Sequence, residues 1–316
     1  MGSSEGKRWE EILLSGPAQT HVVIGNINID ISVEVDSYPD EDTTTFARRA
    51  WIGPGGAATN YAVAVARFGH SPILVARAGE DLVRLGILDD LKKMGVDTSF
   101  VQVAKGEPPG IVVVIVAPRK STRTMITVRG ANEGVTGSMI PSEGEVVHFA
   151  SVRGHVVRES RSLIGDRLAT YDPGGEVYRD PGGVMEALYS GIVSVLYIND
   201  KELNNLIIKN NINIMDLVYG TDDLIIVIKK GRIGAKVITR GFEIELYPPI
   251  TPNPVDVTGA GDAFNAMFNI CLINKCSIKD SLKMAMAAGA AKILRRGGSN
   301  MPTLDEVLEI ARNSAW

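Results

Sequence analysis

The sequence predicts an α/β fold in which a largely parallel β-sheet lies between layers of helices, with a smaller β-sheet added. Apolar strand-like segments alternate with helix-like segments through most of the 316 residues, which is typical of βα units. Residues 98–128 break this alternation, because Pro and Gly turns rather than helices separate their three strand-like segments. We expect one α/β domain at residues 21–316, after an N-terminal extension at residues 1–20.

The first strand is expected at residues 21–24, and after it polar and apolar residues alternate strictly. The polar residues that share one face are Asn26, Asn28, Asp30, Ser32 and Glu34. Such a row of donors and acceptors can bind a ligand rich in hydroxyl groups, and the Asp30 carboxylate can accept from two vicinal hydroxyls. The alternative is a solvent-facing strand that binds no ligand.

A strand at residues 45–52 leads to Gly53-Pro54-Gly55-Gly56, which opens a helix expected at 57–68. The adjacent glycines Gly55 and Gly56 let the backbone approach a ligand closely. Asn60, one turn into the helix, can donate to and accept from a hydroxyl group. A dinucleotide-binding fold is the competing interpretation, because Gly53, Gly55 and Ala58 fit the spacing of its fingerprint.

The remaining elements continue the alternation. Strands are expected at 73–78, 145–150, 168–171, 192–198, 224–228 and 235–239, and helices at 85–94, 157–166, 181–189, 200–208, 212–218 and from 259 onward. A small antiparallel sheet is expected to draw its strands from about 30–53 and 98–130. Ligands of parallel sheets bind at the carboxyl ends of the strands, so the site is expected there.

The composition excludes several classes of function. The net charge of −4 and the 6% aromatic content offer neither a basic face nor stacking platforms for nucleic acid. No apolar stretch is long enough to span a membrane, and the first residues lack a signal-peptide core. The two cysteines, Cys271 and Cys276, are expected to be packed thiols. These features predict a cytoplasmic protein that binds neither nucleic acid nor a membrane.

The run Asp-Val-Thr-Gly-Ala-Gly-Asp at residues 256–262 is the most informative motif. It precedes an apolar helix, so residues 259–262 are expected on the first helical turn, where free N–H groups and the helix dipole attract a phosphate. A carboxylate at Asp262 could take a proton from an alcohol that attacks the phosphorus. The motif therefore suggests phosphoryl transfer to a hydroxyl group, although a plain glycine-rich loop before a helix is the alternative.

Two further motifs follow apolar strands, and each has two interpretations. Asn199 and Glu202, three residues apart at the start of a helix, could order water around a magnesium ion or form a capping box. The segment from Lys229 through Gly231 to Gly234 could lie along the phosphates of a nucleotide or turn a hairpin. No Walker-type sequence occurs in the chain, which disfavours P-loop chemistry.

Taken in order, these residues resemble the ribokinase-like (PfkB-type) carbohydrate kinases over residues 21–310. The motifs that carry the resemblance are Gly25-x4-Asp30, Gly55-Gly56-x3-Asn60, Gly79-x-Asp81, Gly130-Ala131-Asn132, Asn199-x2-Glu202 and the run at 256–262. The resemblance implies a three-layer α/β/α sandwich with a small β-sheet lid. It also implies transfer of the γ-phosphate of ATP, with Mg²⁺, to a hydroxymethyl group of a sugar or ribonucleoside.

By position, the resemblance assigns a role to each motif. Asp262 would be the base, and the N–H groups of Gly259, Ala260 and Gly261 would form the anion hole. The acceptor would be held by Asn28, Asp30, Gly55, Gly56 and Asn60. The nucleotide would be contacted by Asn199, Lys229, Gly231 and Gly234, with Glu202 holding Mg²⁺ through water and Asp256 near a monovalent-cation loop that could take K⁺. The lid would also form a homodimer contact.

The acceptor itself is left open between a nucleoside and a sugar such as fructose, ribose or 2-keto-3-deoxygluconate. The segment Asp172-Pro173-Gly174 is similar to some archaeal nucleoside kinases, which favours a ribonucleoside. Phe46, Trp51 and Phe100 are expected to shape the pocket from the lid. Two remote alternatives are a non-catalytic sugar- or nucleotide-binding protein and an NAD-dependent oxidoreductase.

Overall fold

The computed structural model describes residues 8–117, 122–221, 223–249, 254–314 and 316. Its strands are β1 (Thr20–Gly25), β2 (Asn28–Glu34), β3 (Arg49–Gly55), β4 (Ser71–Gly79), β5 (Val101–Ala104), β6 (Gly110–Ala117), β7 (Thr122–Val128), β8 (Val146–Ala150), β9 (Leu168–Asp172), β10 (Val195–Asn199), β11 (Ile225–Lys229), β12 (Ala235–Ile238) and β13 (Glu243–Leu246). Its helices are α1 (Arg8–Ser15), α2 (Ala57–Arg67), α3 (Glu80–Arg84), α4 (Ile87–Lys93), α5 (Gly154–Glu159), α6 (Arg161–Ile164), α7 (Glu176–Arg179), α8 (Pro181–Tyr189), α9 (Asp200–Asn210), α10 (Ile214–Gly220), α11 (Ala260–Ile273), α12 (Ile278–Lys292) and α13 (Leu304–Arg312).

The large sheet has the strand order β13-β12-β11-β10-β9-β8-β1-β4-β5. It is parallel from β5 to β11, and only β12 and β13 at one edge run antiparallel. One apolar core beneath it is built from α1, α2, α11, α12 and α13, and a second core on the other face from α5 and α8–α10. The predicted arrangement of a mostly parallel sheet between two helical layers is confirmed.

The small sheet has the order β3-β2-β6-β7. In its register Asp30 lies opposite Gly53 on β3 and Val112 on β6, so this part of β2 is central in the sheet. The expectation of a purely antiparallel sheet is wrong for one pair, because β2 and β6 run parallel. The two strands belong to connections that leave the large sheet in the same direction, which brings them together side by side.

The segment around residue 100 does not belong to the small sheet. The strand β5 pairs in parallel with β4 at the edge of the large sheet, with Ala76 opposite Val101. Phe100 packs against the second apolar core instead of facing the small sheet. The predicted range of 98–130 for the small sheet therefore begins too early, since a short apolar strand gives no local sign of which sheet it joins.

Other differences have local causes. The helix predicted at 85–94 corresponds to α4, which begins only after Gly86, whose φ of 73° lies in the left-handed region; the short helix α3 before it was not predicted. The strand predicted at 45–52 begins later and extends to Gly55. The edge strand β13, which pairs with β12, was not expected, because its alternating Glu and Ile or Leu side chains were assigned to no element.

A buried polar network joins the two helices that frame the carboxyl edge of the sheet. Asn269 on α11 donates to the hydroxyl of Tyr61 on α2 (2.8 Å) and to Thr170 on β9 (3.0 Å). Thr170 is also 2.7 Å from His148 Nδ1, and the Tyr61 ring stacks on His148 with centroids 4.0 Å apart. These contacts link side chains of α2, α11, β8 and β9, so the network fixes α2 and α11 relative to the sheet.

Within the part of the chain that the structure describes, no helix is long and apolar enough to cross a membrane. Cys271 and Cys276 are both buried and free, as expected, and the N–H of Cys276 donates to the carbonyl of Cys271 just past the end of α11.

The buried imidazole of His148 predicts a pH dependence of stability. Burial, the largest cause, lowers the pKa of His148 to about 3, below the value of about 6.5 in an unfolded chain. Its contribution is therefore fully present above about pH 6.5 and is lost as the pH falls towards the folded pKa. In urea unfolding at pH 5 and pH 7, His148→Asn should reduce the pH-induced change in unfolding free energy by about 1–2 kcal/mol relative to the unmodified chain. An identical pH dependence in both proteins would contradict this account.

Candidate active site

Polar side chains collect at the carboxyl edge of the large sheet. Asn26 and Ser151 directly follow β1 and β8, and Asp172, Asn199 and Lys229 end β9, β10 and β11. A cavity of about 650 Å³ opens at this edge, between the first turns of α2 and α11 and one face of the small sheet. The topology of the parallel sheet thus places a site where ligands of such sheets bind.

The first turn of α11 has the geometry of an anion site. Gly259 precedes the helix with a φ of 81°, and a Cβ there would lie 2.3 Å from the carbonyl oxygen of Gly298. The N–H of Ala260 makes only a long bond to Val257 (3.3 Å), and among the described residues the N–H groups of Gly259 and Gly261 have no backbone acceptor. These groups can therefore bind a negatively charged oxygen at the helix N-terminus.

Asp262 lies on that turn and lines the cavity. Its Oδ2 accepts a hydrogen bond from Asn60 Nδ2 (2.9 Å), which orients the carboxylate across the gap between α11 and α2. Burial raises the pKa of Asp262 to about 6, against the opposing effects of the Asn60 hydrogen bond and Lys229. A carboxylate with this pKa is ionised at neutral pH yet is a stronger base than an ordinary aspartate.

Asp30 faces the same cavity from the small sheet. Its Oδ1 is buried without a hydrogen-bond partner among the described residues, so it is available to a ligand hydroxyl. A Cβ at position 55 would lie 1.9 Å from the Asp30 Cγ, so Gly55 leaves the space that this carboxylate occupies. Burial, followed by the charges of Asp262 and Asp256, raises the pKa of Asp30 to about 7.

The other predicted acceptor residues are also brought to the cavity. Asn60, besides its bond to Asp262, has a buried Oδ1 without a partner among the described residues. Gly56 has a φ of 97°, and a Cβ there would lie 2.4 Å from the Asn26 carbonyl oxygen. Asn28 lines the cavity, but its Oδ1 accepts from Asn132 Nδ2 (2.9 Å), so this oxygen holds the protein together.

Asn132 clasps the connection between the two sheets. Its Oδ1 accepts from the N–H of Ile27 (2.9 Å) and its Nδ2 donates to the Ile27 carbonyl (3.2 Å). Ile27 lies between the end of β1 and the start of β2, so the clasp fixes the point where the chain passes from the large to the small sheet.

Lys229 takes part in a buried ion pair that sequence analysis missed. Its Nζ lies 2.6 Å from Asp172 Oδ2, which also accepts from Asn265 Nδ2 (2.7 Å) on α11. Burial lowers the pKa of Lys229, but Asp172 and Glu202 outweigh it and raise the value, so the ammonium stays charged. A Cβ at Gly261 would lie 3.5 Å from this ammonium, which places a cation beside the anion site.

The two remaining motifs that could contact a nucleotide form ordinary structural features, a hairpin turn in one case and a capping box in the other. Gly231 and Gly234, with positive φ values of 57° and 121°, form the turn between β11 and β12, closed by the Lys230 N–H bond to the Gly234 carbonyl. Asn199 and Glu202 form a reciprocal capping box at the start of α9, each bond being 3.0 Å. Contact of these residues with a nucleotide stays a prediction.

The residues present could hold a magnesium ion through water, but they do not form a set of direct metal ligands. Among the described residues, no group of three or more His, Cys, Asp or Glu side chains could hold a metal ion. In the capping box, Glu202 accepts a hydrogen bond through its Oε2, and its Oε1 takes no part in the cap. Asp256 accepts from the N–H groups of Thr258 (2.9 Å) and Gly297 (2.9 Å), so its observed role is to tie two loops together, and a cation there stays a prediction.

Two arginines in the cavity wall were also missed. Arg129, directly before the Gly-Ala-Asn motif, and Arg179, at the end of α7, both line the cavity. Single arginines in loops and at helix ends give no periodic or spacing signal, so sequence reasoning had no means of selecting them. The aromatic residues expected to shape the pocket do not line it, and Phe46 is 88% exposed.

Comparison with known proteins was consistent with this geometry. A family model described as "pfkB family carbohydrate kinase" matches residues 18–304. A ribokinase of Bacillus subtilis is 26% identical over 294 residues, which are 91% of this chain and 98% of the relative. An ATP-dependent ribose-1-phosphate kinase of Halopiger xanaduensis is 27% identical over 294 residues, 90% of this chain and 95% of the relative.

The crystal structure of a nucleoside kinase of Methanocaldococcus jannaschii, described as an archaeal member of the ribokinase family, superposes with a TM-score of 0.82. The match is 21% identical and covers 94% of this chain and 99% of that one. At this identity the likeness shows the fold, and it confirms the predicted ribokinase-like α/β/α architecture.

The raised pKa of Asp30 predicts a cost in stability. Its folded pKa of about 7 exceeds the unfolded value of about 3.9, so the penalty is absent below the unfolded pKa and fully present above about pH 7. Asp30→Asn should therefore raise the unfolding free energy at pH 8 by on the order of 1–2 kcal/mol and change it little at pH 4. Urea unfolding at both pH values tests this, with Asp89→Asn, an exposed aspartate on α4, as the control. An equal gain at both pH values would contradict it.

Proposed function

The chain belongs to the pfkB family of carbohydrate kinases, and we propose that it transfers the γ-phosphate of ATP to a hydroxymethyl group of a sugar or ribonucleoside. The observation that carries this proposal is the position of Asp262. It lies between the open N–H groups of the α11 turn on one side and the acceptor cavity with Asp30 on the other. The same carboxylate can thus meet both the phosphorus and the attacking alcohol.

In the proposed reaction, the hydroxymethyl oxygen attacks the γ-phosphorus while its proton moves to Asp262 Oδ1 or Oδ2. The new oxygen–phosphorus bond forms as the bond to the bridging oxygen of ATP breaks, and ADP leaves with that electron pair. The N–H groups of Gly259 and Gly261, with the Lys229 ammonium, stabilise the charge on the transferred group. Mg²⁺, held through water by Glu202, would neutralise the phosphates of the nucleotide.

The acceptor is oriented by groups on two elements. Asp30 offers its unpartnered Oδ1 from β2, and Asn60 offers its unpartnered Oδ1 from α2. Gly55 leaves room for the Asp30 carboxylate, and Gly56 lets the chain lie close to the Asn26 carbonyl, so both glycines support the shape of this wall. Because the small sheet forms the remaining wall, its approach would exclude water, which competes with the alcohol for the phosphoryl group.

The structural context disfavours the dinucleotide alternative. The strand before Gly53-Pro54-Gly55-Gly56 is β3 of the small sheet, whereas the dinucleotide fingerprint needs a strand of the parallel sheet. A purely binding function would have no use for a carboxylate whose pKa is raised at the mouth of an anion site. Activation by K⁺ near Asp256 and a cytoplasmic location stay predictions.

Replacing the base tests the proposed mechanism. Asp262→Asn keeps the side-chain shape but cannot accept a proton, so the turnover number should fall about 10²–10⁴-fold while the KM for ATP changes little. In the unmodified enzyme, kcat/KM for the acceptor should decline below about pH 6 as Asp262 is protonated. Coupled detection of ADP across a panel of sugars and nucleosides provides the measurement.

Asp89→Asn, on an exposed face, serves as the matched control and should retain normal turnover. Near-normal turnover by a folded Asp262→Asn protein would remove Asp262 as the base.

We further propose that the outer face of the small sheet binds a second copy of the chain. Residues that alternate with the cavity-facing ones form apolar rows across the sheet, with Val113 opposite Ile126 and Ile111 opposite Val128. Ile126, Val128 and Ile52 are all more than half exposed. A contiguous apolar face of branched side chains on a four-stranded sheet is characteristic of an interface.

The interface proposal is tested by Ile126→Glu. A buried carboxylate without a partner would disfavour association, so light scattering should report a dimer for the unmodified chain and a monomer for the variant. Ile208→Glu, at an exposed isoleucine on α9, away from the small sheet, should leave the dimer intact. A monomer in the unmodified chain at micromolar concentration would refute the interface.

A further inference from the structure

The acceptor cavity has two aspartates at one end and arginines at the other. Asp30 and Asp262 line the large cavity together with Arg129 and Arg179. A small adjoining cavity of about 20 Å³, roughly the size of one water, is lined by Arg129, Arg179 and Arg153 but by neither aspartate. The guanidinium groups therefore lie at the end of the acceptor cavity away from the base.

Arg129 is held rigidly at that end. Its Nη1 donates to Asn26 Oδ1 (2.8 Å) and to the Ser151 carbonyl (2.9 Å), and its Nη2 forms an ion pair with Glu176. Glu176 is fully buried, and its Oε1 also accepts from Arg179 Nη1 (3.1 Å). One buried carboxylate oxygen thus positions both guanidinium groups side by side.

The cluster carries more positive than negative charge. Arg179 Nη2 and Arg153 Nη2 pair with the two oxygens of Glu133 at 2.9 and 2.7 Å. Three arginines are therefore matched by two glutamates, Glu133 and Glu176, which leaves a net charge of +1. Each guanidinium has five N–H donors, so those without a protein acceptor can bind a further anion.

The wall of the cavity is poorly suited to a nucleobase. Apart from the charged and amide groups, its side chains include Val112, Met125 and Thr127 from the small sheet. Among the described residues, no aromatic side chain lines the cavity, whereas bases are usually held by stacking on aromatic rings. The wall suits a compact polar acceptor better than a nucleoside.

Building on the proposed kinase function, we propose that the acceptor is a sugar phosphate. Its hydroxymethyl group would lie at Asp262 and its phosphate monoester at Arg129 and Arg179, and the product would be a sugar bisphosphate. A planar guanidinium binds two phosphate oxygens at once, and a pair of them suits a doubly charged monoester better than a singly charged carboxylate. A pentose phosphorylated at C1 has the required groups at opposite ends of its ring.

The first test compares acceptors in the unmodified enzyme. With ATP held at saturation, kcat/KM would be measured for α-D-ribose 1-phosphate, D-ribose, inosine and 2-keto-3-deoxygluconate. We expect the phosphorylated pentose to exceed D-ribose and inosine by at least about 100-fold, since it gains two or more charge-assisted hydrogen bonds. The sugar acid 2-keto-3-deoxygluconate carries a carboxylate and no phosphate. Its kcat/KM therefore shows whether the arginines prefer a phosphate or a carboxylate.

The second test removes one guanidinium. Arg179→Ala, at a residue only partly buried, should lower kcat/KM for ribose 1-phosphate about 10- to 100-fold and that for D-ribose less than about threefold. Calorimetry with ribose 1-phosphate, without ATP, should show the same loss in binding. Arg158→Ala, which removes an exposed pair with Glu186, is the matched control and should change neither substrate.

The outcomes separate this inference from the kinase function on which it rests. Turnover of D-ribose or inosine at least as efficient as that of ribose 1-phosphate would overturn the inference and leave the kinase intact. Preference for the sugar acid would overturn the assignment to phosphate. Failure of every acceptor to consume ATP would overturn the kinase function, and binding of ribose 1-phosphate that depends on Arg179 would then still support the anion site.

Discussion

The hydrogen bond between Asn60 and Asp262 is the contact on which the site depends. It joins the first turns of α2 and α11, two helices that are 202 positions apart along the chain. Two turns further along α11, the bond from Asn269 to Tyr61 repeats this connection inside the core. Asp262 on α11 and Asn60 on α2 are therefore held at a fixed distance by two crosslinks between these helices, one at the cavity and one beneath it.

Asp30 and Asp262 line the same cavity, and enclosing two carboxylates together is electrostatically unfavourable. Both pKa values are raised chiefly by burial, and that of Asp30 also by the charges of Asp262 and Asp256. At Asp262 the hydrogen bond from Asn60 opposes the effect of burial most strongly, whereas the pair of Asp172 with Lys229 contributes one charge that raises the pKa and one that lowers it. Stability is thus lower at the cavity than in the core, as is common where groups are poised for chemistry.

Local patterns in the sequence predicted much of this arrangement, but contacts between segments far apart in the chain could not be predicted. The glycines before α11, the alternation of β2 and the capping box at Asn199 could be predicted, because each depends on residues within one or two turns. The placement of β5 could not, since a short apolar strand pairs equally well with either sheet. The arginine cluster likewise depends on loops that only the folded chain brings together.

The clasp of Asn132 on Ile27 has a mechanical consequence. The chain crosses between the two sheets at residues 26–27 and again near 129–132, and the Asn132 side chain binds both backbone polar groups of the first crossing. In the described part of the chain the small sheet is also joined to the rest of the fold after β3, at Gly55, and before β6, at Gly110. Because Asn132 ties the first crossing to the last, a displacement of either one is passed directly to the other.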